Sequence, residues 1–168
     1  MILYHGSPEK IVTPTFGLGE ERHDYGKGFY LTADLELAKE WAVCRPETES
    51  GYVHTFDFDT KDLFIFDYEK ESVLCWLSEL MKHREAADSK RYRMLASKFI
   101  EKFGKDTSSA DVIKGWRANA SYFYIAKAFV RDEFNAKYNE RDSNARIKMK
   151  ELIDSDRNMV AKVFSTLV

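Results

Sequence analysis

The sequence predicts a single α+β domain, on three observations. Residues 52–58 alternate as a strand does, with Tyr52, His54, Phe56 and Phe58 on one face and Val53, Thr55 and Asp57 on the other. Residues 69–86 switch to helical spacing, Val73, Leu77 and Leu80 sharing a face with Leu74 and Met81 beside it. No repeat, low-complexity tract or linker divides the 168 residues, a length that suits one buried core.

The remaining elements follow in order. Ile2-Leu3-Tyr4 reads as a short strand stopped by His5-Gly6. Pro8, Pro14, Gly17 and Gly19 make residues 8–23 a loop with at most one helical turn. Gly28 to Thr32 gives a second strand, and Thr32 is placed to cap a helix over 33–43 whose inward stripe is Leu35, Ala38 and Ala42. Leu63 to Phe66 is another short strand. Tyr92, Leu95, Phe99 and Phe103 form the stripe of a helix over 89–103, ended by Gly104. Ala110 to Lys114 reads as a late strand running into Gly115-Trp116-Arg117-Ala118-Asn119. A helix over 121–134 carries Tyr122, Ile125, Ala126, Phe129 and Val130 inward, and residues 131–168 read as a charged helical tail.

Composition narrows the function classes. The chain is 44% hydrophobic and 32% charged, which excludes wholesale disorder. A net charge of -2 supplies no basic field for nucleic acid or anionic lipid. Cys44 and Cys75, both in segments read as helical, suit a reducing compartment rather than a disulfide framework. The N-terminus enters an apolar strand without a basic leader, and no run reaches membrane-spanning length, so the expectation is a cytoplasmic protein.

The chemistry is concentrated in two segments, Tyr4-His5-Gly6-Ser7 and Asp24-Tyr25-Gly26-Lys27-Gly28-Phe29-Tyr30-Leu31-Thr32. Each sets a polar or aromatic group beside a glycine at a strand end, the makings of a cleft for a flat polar ring and a sugar. Glycine lets a ligand amide approach the backbone, imidazole reaches a sugar hydroxyl, and serine adds a short donor. A strand tyrosine offers an apolar face for stacking. Lys27 lies between two glycines at the cleft, and Arg117 is a candidate for phosphate or substrate binding. Asp24 is expected to order its loop through its own backbone. His23, His54 and His83 show no metal-ligand spacing with either cysteine and read as structural or exposed. No Gly-x-Gly-x-x-Gly turn follows a strand, so a Rossmann reading fails.

Both segments resemble the first two motifs of the poly(ADP-ribose) polymerase-like transferases. That resemblance implies an ADP-ribosyltransferase-like fold, a split, strongly bent antiparallel sheet with surrounding helices, and NAD as substrate. It puts ribose binding on His5, the carboxamide on Gly6 and Ser7, and nicotinamide stacking on Tyr30. His5 and Tyr30 thus become the catalytic pair. Lys27 matches the lysine between the two glycines. A closer similarity is to a bacterial ADP-ribosyltransferase-like family, domain of unknown function 3990. It runs through Glu40-Trp41-Ala42, Leu74-Cys75-Trp76-Leu77 and Asp111 to Phe123, covering roughly residues 1–130. The chain departs from that family at Asn119-Ala120, where an acidic pair is usual, and in having no Gly-rich segment leading to a late Glu-Gln strand.

The implied activity is transfer of ADP-ribose from NAD to a macromolecular acceptor with release of nicotinamide. No metal is implied. A toxin or effector role, with a neutralising partner protein, belongs to the same expectation. The missing late motif leaves two other readings open: a non-catalytic NAD, ADP-ribose or protein-binding module, and NAD hydrolysis with water as acceptor.

Overall fold

In the computed structural model, residues 1–11, 13–17, 23–84, 90–118 and 159–163 are described, the last five as backbone only. The strands are β1 (Ile2–Ser7), β2 (Phe29–Thr32), β3 (Tyr52–Asp57), β4 (Ile65–Asp67), β5 (Val112–Trp116) and β6 (Met159–Val163). The helices are α1 (Leu35–Ala42), α2 (Val73–His83) and α3 (Lys90–Phe103), with a 3-10 turn over Tyr68–Lys70. The fold class is α+β.

The strands form one six-stranded sheet in the order β3-β1-β2-β6-β5-β4. One pair departs from the expected antiparallel arrangement: β4 runs parallel to β5, Ile65 opposite Val112 and Asp67 opposite Lys114. The parallel pair follows from the long excursion through α2 and α3, since parallel neighbours need a crossover rather than a hairpin. Register decides which residues share a face. Tyr4 lies opposite Thr32, and Tyr30 and Ile113 both lie opposite Lys162. Alternation therefore puts Tyr4, Gly6, Tyr30, Thr32 and Ile113 on one face and Leu3, His5, Phe29 and Leu31 on the other.

The first face holds the main core. Tyr25, Tyr68, Trp76, Leu77, Leu80, Phe99 and Ile113 are all at most 1% exposed in one cluster. α2 is central to it: Leu74 to Met81 are all buried, so this helix is covered all round. The opposite face has a smaller cluster, Leu3 and Leu31 with Phe29, Phe56 and Phe58 packed against them.

Several boundaries move, each for a local reason. Asp34, not Thr32, caps α1: its Oδ1 accepts from Glu36 and Leu37 N–H at 2.8 and 3.2 Å. The Thr32 hydroxyl instead accepts from Asp34 N–H at 3.1 Å. With that start, Leu37, Ala38 and Ala42 face inward while Leu35 is 39% exposed. The helix expected over 69–86 breaks after the 3-10 turn, and Ser72 caps α2 anew through Leu74 N–H. Cys44 lies beyond α1 and is exposed, whereas Cys75 is buried in α2.

The helix expected over 121–134 lies outside the described residues, as does most of 131–168. Where that tail is described it is not helical. Met159–Val163 is a strand in the middle of the sheet, pairing β2 on one side and β5 on the other. Charge alternation upstream suggested continued helix, but pairing on both edges satisfies the strand backbone and overrides it.

Candidate functional site

The site begins where β1 and β2 part. β1 pairs β3 along its whole length, from Ile2 opposite Asp57 to Ser7 opposite Tyr52. Its register with β2 is Tyr4 opposite Thr32. One residue further along, the His5 side chain reaches across: its Nδ1 lies 2.7 Å from the Tyr30 carbonyl oxygen. A carbonyl can only accept, so Nδ1 carries the proton and, in the neutral ring, Nε2 keeps its lone pair. Burial pushes the His5 pKa below its ordinary value, opposed by the Tyr30 hydrogen bond and assisted by nearby His54. Neutral His5 is thus an acceptor at Nε2, which makes no hydrogen bond among the described residues.

The imidazole is fixed in its plane as well. It stacks on Phe29 with ring centroids 4.4 Å apart, and Phe29 in turn meets Phe56 edge-on at 5.5 Å. His54, opposite His5 in register, has its ring 6.3 Å away, and Tyr52 lies 6.3 Å beyond that. Ser7 belongs to the same face by alternation, and its Oγ accepts from Glu9 N–H at 3.2 Å, closing the turn after β1.

Gly6 and Tyr30 belong to the opposite face. A Cβ on Gly6 would run into the Ala38 carbonyl oxygen and lie 2.7 Å from the Ala42 nitrogen. The glycine therefore lets α1 lie directly on β1. The Tyr30 hydroxyl donates to the Gly26 carbonyl at 2.7 Å and accepts from Tyr25 N–H at 3.1 Å. Burial raises its pKa well above the usual phenol range. Tyr30 thus clasps the turn that precedes β2, and Gly26 makes that turn at φ +72°, where a side chain would strike the His83 ring.

The rest of the second motif anchors the same turn. Asp24 does not order its own loop as expected; its Oδ2 accepts from the distant Ala118 N–H at 2.7 Å, and Oδ1 pairs with Arg84. Burial raises its carboxyl pKa against the pull of Arg84. The Tyr25 hydroxyl donates to the Trp116 carbonyl at 2.6 Å and accepts from Trp76 Nε1 at 2.9 Å. Lys27 is exposed in the turn itself. Arg117 extends to Glu40 of α1 at 3.8 Å, on the side of the sheet away from the His5 ring.

Of the residues singled out in the sequence, His5 and Ser7 therefore share a face. Gly6 and Tyr30 border the same parting of strands from the other face, and Tyr30 touches His5 through its main chain. Sequence reasoning missed Phe29, which holds the imidazole, and His54, which stands beside it. The alternation Tyr52-His54-Phe56 was visible, but its register against β1 was not.

Among the described residues, no helix is long and apolar enough to cross a membrane. Neither curated proteins nor solved structures give a match to this chain. A family model described as a protein of unknown function, DUF3990, matches residues 1–156. With nearly the whole chain matched, the protein belongs to the DUF3990 family.

Proposed function

We propose that this protein transfers ADP-ribose from NAD to a macromolecular acceptor, with the nicotinamide ribose seated at the parting of β1 and β2. The observation that supports this most is the His5 imidazole. Its Nδ1 is tied to the Tyr30 carbonyl at 2.7 Å, which leaves the neutral Nε2 to accept from a sugar hydroxyl. The likeness of Tyr4-His5-Gly6-Ser7 and Tyr25 to Thr32 to the poly(ADP-ribose) polymerase-like transferases supports the same ligand and the same fold type.

In the reaction the bond between nicotinamide nitrogen and the ribose anomeric carbon breaks, and nicotinamide leaves with the electron pair. Positive charge builds on the ribose as an oxocarbenium ion, and an acceptor nucleophile then bonds to the anomeric carbon and loses its proton to solvent. A protein accelerates this by holding the ribose and amide more tightly as the charge develops. His5 would orient the ribose, and Ser7 with the Gly6 main chain would hold the carboxamide. Lys27 is a candidate for the cofactor phosphates, whereas Arg117, extended toward Glu40 on the other side of the sheet, is not. Tyr30 borders the pocket and keeps its wall in place through Gly26 and Tyr25. A role in a toxin or effector system, opposed by a neutralising protein, is part of the same proposal.

A second reading has its own observation. The Tyr30 hydroxyl is committed to the Gly26 turn and its ring lies on the face opposite His5, an arrangement that favours binding NAD or ADP-ribose without transfer. Labelled NAD incubated with the protein and a bacterial lysate separates these readings. Label on an acceptor that is lost in His5→Ala supports transfer, and free ADP-ribose supports hydrolysis. A melting shift with unconsumed NAD supports the binding module, and no shift removes the cofactor from the proposal.

A further inference from the structure

His54 carries the inference furthest. Its Nε2 accepts from the Ile11 N–H at 2.8 Å, and a backbone amide can only donate. In the neutral ring the proton must then sit on Nδ1. That Nδ1 is buried and has no hydrogen-bond partner among the described residues. A covered donor left unsatisfied costs free energy unless something else, in another state of the protein, satisfies it.

The neighbour of this orphan donor is complementary. His5 lies opposite His54 in register, on the same face, with ring centroids 6.3 Å apart. His5 has spent its donor on Tyr30 and retains an acceptor; His54 has spent its acceptor on Ile11 and retains a donor. A hydroxyl needs one of each, because it donates its hydrogen and accepts at its oxygen. Two adjacent hydroxyls on a sugar ring can divide the two roles between them.

We propose that His54 is a second ligand-binding residue, paired with His5 as donor and acceptor for the vicinal hydroxyls of a ribose. The ribose is that of nicotinamide, a step that rests on the reading of this site as an NAD pocket. Because Nδ1 is covered, a ligand reaches it only when the groups around it shift while the Ile11 hydrogen bond holds the ring.

The test measures binding of NAD, and of an NAD analogue whose nicotinamide ribose lacks both ring hydroxyls, to the full chain. Wild type is expected to prefer NAD by about tenfold or more, the scale of one or two hydrogen bonds. His54→Phe should keep only the part of that preference that His5 supplies, and His54→Gln, which can still donate, should restore some of the rest. An undiminished preference in His54→Phe overturns the role of His54 while leaving the NAD pocket standing. Failure of wild type to bind NAD at all overturns the pocket and this pairing together. Nitrogen NMR of the imidazoles guards against misfolded variants: His54 should be protonated at Nδ1 and that nitrogen should shift when NAD is added. An Nε2-protonated or unresponsive His54 overturns the proposal.

Discussion

The His5 Nδ1–H donates to the Tyr30 carbonyl at 2.7 Å, so a side chain stands where β1 and β2 would otherwise exchange a backbone hydrogen bond. Two consequences follow. The strands part at the His-Gly-Ser segment, and the imidazole tautomer is set, leaving an acceptor beside the parting.

Binding of NAD should therefore depend on neutral His5. Burial lowers its pKa from the ordinary 6.5, so affinity is expected to stay level from pH 8 to about 6.5 and fall on further acidification, as Nε2 gains a proton and stops accepting. The same shift gives a sign for stability. The native state releases the proton more readily than the unfolded one, so this group costs stability as pH falls below about 6.5. A titration of NAD affinity against pH, flat in His5→Gln, checks the first point.

Tyr30→Phe keeps the ring and removes only the hydroxyl. It is expected to lower stability by about 1–3 kcal/mol, because the Gly26 carbonyl and Tyr25 N–H both lose their partner. A fall in melting temperature with NAD affinity nearly unchanged would mark Tyr30 as the clasp of the turn. Unchanged stability with lost affinity would instead make the hydroxyl a ligand group.

Glu79 should dominate acid sensitivity. Its carboxylate is 2% exposed, accepts from Tyr68 and Lys82 at 2.8 Å each, and lies 3.0 Å from His83 Nε2. Burial raises its pKa, but the hydrogen bonds from His83, Lys82 and Tyr68 outweigh that and hold it at about 2. Folding thus favours the ionised form, and the resulting stability, of the order of 3 kcal/mol, is complete above the ordinary carboxylate pKa and lost as pH falls toward 2. Asp24 acts with the opposite sign, its pKa being raised. Denaturant melts of Glu79→Gln are expected to be weaker at neutral pH and less steep in acid than wild type.

Gly6→Ala tests whether the glycine serves α1. The added methyl meets backbone atoms of Ala38 and Ala42 that cannot rotate away, so α1 must lift from β1. A loss of roughly 1–3 kcal/mol or more is expected. Gly17, whose Cβ would meet nothing within 4 Å, has no such packing constraint, although its φ of +79° still favours glycine. Comparing melting curves of the two alanine variants separates packing from backbone strain.

The sequence by itself determined the α+β class, the strand at Tyr52 to Asp57 and the helices about Leu77 and Phe99. Those features are local, since periodicity and glycine punctuation act within a few residues. Tertiary structure decided the rest. Which face a strand residue occupies depends on its partner's register, so only the pairing of β1 with β3 could bring His54 beside His5. The central place of Met159–Val163 arises in the same way, from pairing with β2 and β5 that outweighs a charged, helix-like approach. Asp24 found its partner at Ala118 across 94 residues, a hydrogen bond that no local reading of its turn contains.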